Sequence, residues 1–534
     1  MRLLQIIALS LGYSAALTAA PAIAGVYNAA SWIPVSLPNS GVAQGAIFTV
    51  TGTGLGPSTL QQVQSYPLPT TQGLAGTTMQ VTVGAVTETC IMIYTLATQV
   101  AAILPSATPI GSGTLTLTYQ GAKSSIAIQV LAADFGTFTL NEGGTGPGVF
   151  TDTSYNPITM INAAHPGDAL ILWGSGLGAV TGNETEPPQQ IDLGTGVQVM
   201  VEGQAATVLY GGRGSSPGLD QINFIVPAGV SGCKTSVAVI VKGVVGNVTT
   251  ISIAPAGQTT CGDTYNGLTA VNLQKAVATG SLNFGYVLLS RVGGGDDYLT
   301  ANFESFDLNT LIRSYGGSIG PSVGSCVAYE TLGSSLVVTD PVQPTYLNAG
   351  PQLTVTGPNG TKTVAATSTG SYPATLATGA PVYLTPGNYA IGDGQGGAAV
   401  GPFSWTVTLP ANVIPTNIPA RVTRSQNLTL TWTGGAGFPV VSIIGYTGVA
   451  VTSTTNSYVY FVCNANASAG QFTIPSSILS LLPANGYGSP GTPGVNIQIA
   501  GIPMNPYFTA PGSPGIDVGI FSAFITSGAI AAIQ

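Results

Sequence analysis

The chain has 534 residues, enough for about three or four cores, and only 6% of them are charged, where roughly a quarter is usual. Its net charge of −8, with 11 Lys and Arg, excludes a nucleic-acid groove, which needs clustered cations to displace counterions. A hydrophobic share of 44% excludes disorder, and no unbroken apolar run of about 18 residues offers itself as a membrane-spanning helix.

Seventy-three Gly and 37 Pro punctuate short runs of Val, Ile, Leu and Thr. That texture predicts an all-β chain of many short strands joined by turns. Met1–Ala24 reads as a signal peptide: Arg2 supplies the positive start, Leu3 to Leu17 an apolar stretch, and Ala22-Ile23-Ala24 a small-x-small cleavage site. The mature chain is expected to begin near Gly25, to carry no membrane span, and to be secreted or held at a bacterial cell surface, where disulfides persist.

The next 230 or so residues contain one stretch twice. Phe48-Thr-Val-Thr-Gly52-Thr-Gly54-Leu55-Gly56-Pro57 returns 122 positions later as Leu170-Ile-Leu-Trp-Gly174-Ser-Gly176-Leu177-Gly178-Ala179. The same shift carries Gly45 onto Gly167, Gln99 onto Gln221, Pro105 onto Pro227 and Gly121 onto Gly243. A period this long marks tandem domains, here 25–135 and 148–256. Seven or so short strands in about 110 residues is immunoglobulin-like architecture. Residues 257–279 read as a linker. The β-rich texture continues through 280–410 and 420–534, with the Pro-rich and Asn-rich Pro410–Pro419 as a plausible boundary, and the sequence leaves open whether these stretches make one domain or two. Ser476 to Leu482 is the best short-helix candidate, bounded by Pro475 and Pro483.

Three motifs carry a family resemblance. They are Val26-Tyr-Asn28-Ala29-Ala30-Ser31, the Gly-Thr-Gly-Leu-Gly turn, and Asp220-Gln221-Ile222-Asn223-Phe224-Ile225-Val226-Pro227. As a set they resemble secreted acidobacterial proteins with tandem IPT/TIG-like modules. The resemblance implies the immunoglobulin fold and export, and supplies no catalytic residue. The first module departs from it, with Gln99-Val100-Ala101-Ala102 where the second has Gln-Ile-Asn-Phe.

No catalytic, cofactor or metal constellation stands out. Gly174-Ser-Gly176-Leu-Gly178-Ala179 matches the dinucleotide fingerprint formally, but Val180-Thr-Gly-Asn-Glu-Thr-Glu-Pro187-Pro188 cannot open the helix that would hold a pyrophosphate. Gly52, Gly54, Gly56, Gly174, Gly176 and Gly178 are therefore expected as structural glycines in tight, φ-positive turns. His165 is the one histidine, placed in a turn by Pro166 and Gly167. Asp296, Asp297, Glu304 and Asp307, and separately Asp393 among glycines, offer oxygen to Ca²⁺ but read better as polar turns. Of five cysteines, Cys233 and Cys261 flank the last hairpin of the second module and are the first disulfide candidate; Cys326 and Cys463 are the second, and Cys90 is left over.

These readings lead to an exported, non-catalytic structural or adhesive protein. One alternative is a carbohydrate-binding or carbohydrate-processing protein, with Trp432, Tyr446, Tyr458 and Tyr460 as stacking candidates against a core reading of the same residues. Another is a self-assembling filament subunit, because uncharged β-rich surfaces invite edge pairing. The partners foreseen are accordingly a polysaccharide, a surface protein or further copies of the chain.

Overall fold

The computed structural model describes residues 20–187, 191–194, 196–263, 267–314, 320–333, 344–503 and 507–534. The expected signal segment lies outside the described residues except for Ala20–Ala24. About 52% of the described residues are strand and 5% helix, so the fold is all-β.

The first module contains β1 (Ala22–Asn28), β2 (Ile47–Thr53), β3 (Thr77–Val83), β4 (Ile91–Thr95), β5 (Gln99–Ile103), β6 (Gly111–Tyr119) and β7 (Ala122–Leu131). One sheet runs β1-β2-β5-β4 and the other β7-β6-β3. Alternation sets the two faces: Leu115 and Leu117 of β6 are buried, while Thr114, Thr116 and Thr118 look outward. Phe48, Val50, Val81 and Val100 meet them in a core between the sheets.

The second module contains β8 (Ala169–Ser175), β9 (Val197–Val201), β10 (Thr207–Arg213), β11 (Asp220–Ile225), β12 (Gly232–Val241) and β13 (Thr249–Ile253). Its sheets run β8-β11-β10 and β13-β12-β9. These are the orders β2-β5-β4 and β7-β6-β3 of the first module, so the duplicated sequence is a duplicated topology. Both are immunoglobulin-like sandwiches. Ala133 and Phe135 already belong to the second core.

The expected linker contains a helix, α1 (Ala270–Thr279). Thr269 caps it by accepting the Asn272 amide, Gly280 ends it at φ 82°, and Leu273 and Ala276 form its buried stripe. After it come β14 (Ser281–Arg291), β15 (Asp297–Asp307), α2 (Leu308–Ser314), β16 (Cys326–Leu332), β17 (Gln352–Gly357), β18 (Gly360–Ala365), β19 (Gly387–Gly392) and β20 (Ser404–Leu409). The last part holds β21 (Val440–Ala450), β22 (Asn456–Asn466), α3 (Ser476–Leu479), β23 (Val495–Ile502), β24 (Ile516–Ile525) and β25 (Ser527–Ile533).

Pro410–Pro419 does not separate two sets of sheets. β14 pairs antiparallel with β15 and parallel with β24, eight residues in register from Phe284↔Val518 to Arg291↔Ile525. β16 is the outer strand of a sheet that continues β22-β21-β23-β25. The stretches 280–410 and 420–534 therefore share two sheets, with β18-β17-β19-β20 as a third and the strands Val413–Pro415, Leu428–Gly434 and Gln471–Ile474 as a fourth. One apolar cluster, including Val287, Phe303, Trp405, Phe461 and Phe521, lies among them. Cys326 and Cys463 face each other across β16 and β22 and are disulfide-bonded, as are Cys233 and Cys261.

Candidate functional site

The second glycine turn is part of a buried joint between the two modules. Arg213, ending β10, and Asp220, opening β11, form an ion pair whose side chains are 2% and 0% exposed. Arg213 Nη2 also donates to the carbonyls of Gly45 at 2.9 Å and Gly178 at 3.1 Å, so it reaches across to the first module. Asp220 Oδ2 accepts the amides of Gly176 and Leu177, each at 2.8 Å. Asn28 closes the joint from the other side: its Nδ2 donates to the carbonyls of Asp134 at 2.7 Å and Ser175 at 3.1 Å, and its Oδ1 accepts the Ala30 amide at 2.8 Å. Ser175 Oγ accepts the Ile47 amide at 2.8 Å and donates to the Gly218 carbonyl at 2.7 Å.

Of the six turn glycines, Gly54, Gly176 and Gly178 have positive φ, at 64°, 116° and 122°. Gly52, Gly56 and Gly174 do not, which corrects the expectation that all six serve φ-positive turns. They are small because something lies too close: a Cβ would run into the Ala22 carbonyl at Gly52, Thr95 Oγ1 at Gly56 and the Gly136 carbonyl at Gly174. Backbone and side-chain atoms thus pack directly against these three glycines.

The other chemistry-bearing residues are also tied into structure. His165 Nε2 lies 2.8 Å from the Gln258 carbonyl and Nδ1 lies 3.3 Å from Asp168 Oδ2, which fixes the turn before β8. Asp297 is buried against Arg291 at 2.7 Å and accepts the Leu384 amide; Asp307 caps α2 through the Thr310 amide. Asp296 accepts the Gly379 amide, Glu304 stands opposite Tyr346 in register, and Asp393 accepts the Phe403 amide. Among the described residues no group of three or more acids, cysteines or histidines is placed to hold a metal ion. Cys90 is buried, and burial pushes its thiol up to about 12. It stays a neutral packing group.

Three of the four aromatic candidates do come together. Tyr446 of β21 and Tyr460 of β22 are directly opposite in register, with ring centroids 5.9 Å apart and planes 31° from parallel. Tyr458 continues the row at another 5.9 Å and 31°. Alternation sends Val441, Ile443, Val459 and Phe461 to the core and these tyrosines to the opposite face, where they are half-buried. Amides hold their hydroxyls: Asn496 Nδ2 donates to Tyr446 Oη and Asn456 Nδ2 to Tyr458 Oη, both at 3.0 Å. Gln498 Nε2 in turn donates to Asn496 Oδ1 at 2.6 Å. Burial first, then the neighbouring Tyr458 and Tyr446, raise the Tyr460 hydroxyl above its ordinary value. Trp432 is elsewhere: it is 5% exposed and donates Nε1 to the Ala467 carbonyl at 3.0 Å, a core role.

A row of rings edged by amides and free of charge suits a neutral, hydroxyl-rich ligand whose C–H faces stack on the rings. Asn456 stands in alternation with Tyr458 and Tyr460, so its place was readable. Asn496 and Gln498 were not, because only strand pairing brings β23 beside β21.

No protein-family profile matches the chain, and no curated protein matches it. Among solved structures it is similar to the plexin A4 extracellular region at 13% identity, over 42% of this chain and 17% of that one, with a TM-score of 0.15. It is also similar to the Bacteroides ovatus protein SGBP-B in complex with a mixed-linkage heptasaccharide, at 11% identity, over 85% and 97%, with a TM-score of 0.14. Sidekick-1 immunoglobulin domains 1–5 match at 10% identity, over 90% and 96%, with a TM-score of 0.12. Scores this low carry no argument about function. The immunoglobulin-like fold rests on the paired sheets themselves.

Proposed function

We propose that this chain is an exported, non-catalytic adhesion protein of the IPT/TIG-type family, and that its C-terminal sheet holds a neutral polysaccharide. The observation that carries the reading is the row Tyr458–Tyr460–Tyr446 with its hydroxyls held by Asn456 and Asn496. Export is supported by the signal-like N-terminus and by two disulfides, bonds that persist in oxidising compartments. Lack of catalysis is supported by the fixed partners of His165, Asp297 and Asp307.

The test is affinity electrophoresis of the full chain in gels containing soluble β-glucans, mannans or xylans, with reducing ends assayed in parallel. Wild type is retarded by at least one polymer. Tyr446→Ala/Tyr460→Ala weakens that retention about 10-fold, equivalent to about 1.4 kcal/mol. No reducing ends appear. Retention unchanged in the double variant, or steady release of reducing ends, overturns the reading.

A further inference from the structure

β12 opens on a bulge. It pairs with β13 at Gly232↔Ile253 and next at Thr235↔Ile251, so Cys233 and Lys234 fall in an irregular stretch of the ladder. A bulge re-aims side chains, and both of these are buried. The Lys234 backbone is held from two sides by Ser322: its amide donates to Ser322 Oγ at 2.9 Å, and its carbonyl accepts the Ser322 amide at 3.1 Å. Asp263 is fixed on the facing segment by its amide, which donates to the Leu268 carbonyl at 2.7 Å. The disulfide Cys233–Cys261 stands one residue before Lys234 and two before Asp263, and it clamps the two segments together.

Within this clamp Lys234 Nζ lies 3.5 Å from Asp263 Oδ2, with the side chains 2% and 9% exposed. That is longer than the roughly 2.7–2.9 Å of a charge-assisted hydrogen bond. Desolvation, opposed by the attraction of Asp263, pushes the Lys234 ammonium down from its ordinary value. In a site closed to water, a proton passes from ammonium to carboxylate more readily than in bulk, and a neutral amine then faces a neutral carboxylic acid. Those are the reactants of an amide. In bulk water ionisation keeps such a pair from condensing. Burial removes that protection, and the clamp supplies the fixed approach that replaces a chance encounter.

We propose that Lys234 and Asp263 condense after folding to an isopeptide bond, a permanent crosslink beside the disulfide. Nζ attacks Cγ of the protonated carboxyl, and the tetrahedral carbon then expels the hydroxyl oxygen as water, which takes one proton from Nζ. One C–N bond forms and one C–O bond breaks. No electron is gained or lost, so the step needs neither oxidant nor cofactor. The bond ties β12 to the segment that leads into α1, and it survives the reducing conditions that open the disulfide. No residue of the tyrosine row takes part, so the crosslink stands or falls independently of the ligand.

The experiment is peptide mapping of the full chain by mass spectrometry, after denaturation, reduction, alkylation and digestion with trypsin. With the bond in place trypsin does not cut after Lys234. Residues 214–242 then stay joined to 243–275 in one branched peptide, lighter than the sum of its parts by one water, about 18 Da. Fragmentation should set the branch at Lys234 and Asp263, which decides the matter in the wild type whether or not a variant folds. Lys234→Met should release 243–275 as a separate peptide of full sequence mass. Wild type cut after Lys234, with 243–275 at full mass, overturns the proposal. So does a loss of water that persists in Lys234→Met, because it then belongs to another residue.

Discussion

Asp134 sits in the joint between the modules with one carboxylate oxygen unpartnered, and burial pushes its carboxyl up to about 8 from an ordinary 3.8. Glu330 on β16 has both oxygens unpartnered and is pushed up to about 7 by the same cause. The folded chain thus keeps protons that the unfolded chain releases above about pH 4. Stability is fully present below the unfolded values and falls as pH rises toward about 8. Urea midpoints measured from pH 4 to pH 9 should therefore drop steadily. Asp134→Asn, which needs no proton to stay neutral, should flatten the slope, and Asp134→Asn/Glu330→Gln should flatten it further. A wild-type midpoint that rises over this range would contradict the assignment.

Among the elements, the joint and the disulfides do separable work. Arg213→Ala leaves the Asp220 carboxylate buried without its counter-ion and should cost about 3–5 kcal/mol in urea denaturation. The double change Arg213→Met/Asp220→Leu should recover much of that cost, because no charge remains to be desolvated. Replacing Cys233 and Cys261 together by Ser in a Lys234→Met chain, where no amide keeps the loop closed, opens a loop with a sequence separation of 28 and should cost about 3 kcal/mol beyond Lys234→Met itself. How legible these elements were depended on distance along the chain. The repeat showed both modules because the glycine stretch and several single residues on either side of it recur at one offset. The helix α1 carries ordinary start and stop signals in Thr269 and Gly280, but it lies in a stretch whose composition reads as a linker. The joint was only half legible: Asn28, Gly176, Gly178 and Asp220 stood inside the motifs, but nothing in the chain said that they meet.

At the scale of the whole molecule, most outer strands of the two modules are very short. Val42–Ala43, Gln61–Gln62, Gly146–Pro147 and Gln204–Ala205 have two residues each, and Val86–Thr89 has four. Short edges give a second copy little backbone to pair with. Light scattering over a hundredfold concentration range should therefore return a constant monomer mass; a mass that climbs would revive the filament reading. The tyrosine row should matter for binding and not for folding. Tyr446→Ala/Tyr460→Ala should keep cooperative unfolding, because the rings it removes are only half-buried.

By itself the sequence determined what is local or repeated: the β class, the two-fold duplication, the glycines that admit close backbone, and the cysteines nearest a common hairpin. These follow from side-chain alternation and turn chemistry, which act over a few residues. Tertiary structure alone decided which strands become neighbours. It interleaved 280–410 with 420–534 through the parallel β14–β24 pair, set Cys326 opposite Cys463, and lined Asn496 up with Tyr446. It also buried Trp432 and left Tyr286 and Tyr298 in the open. Strand pairing across more than 200 residues is settled by which faces share a core, and the alternating pattern of any one strand does not say with which other strand it will share one.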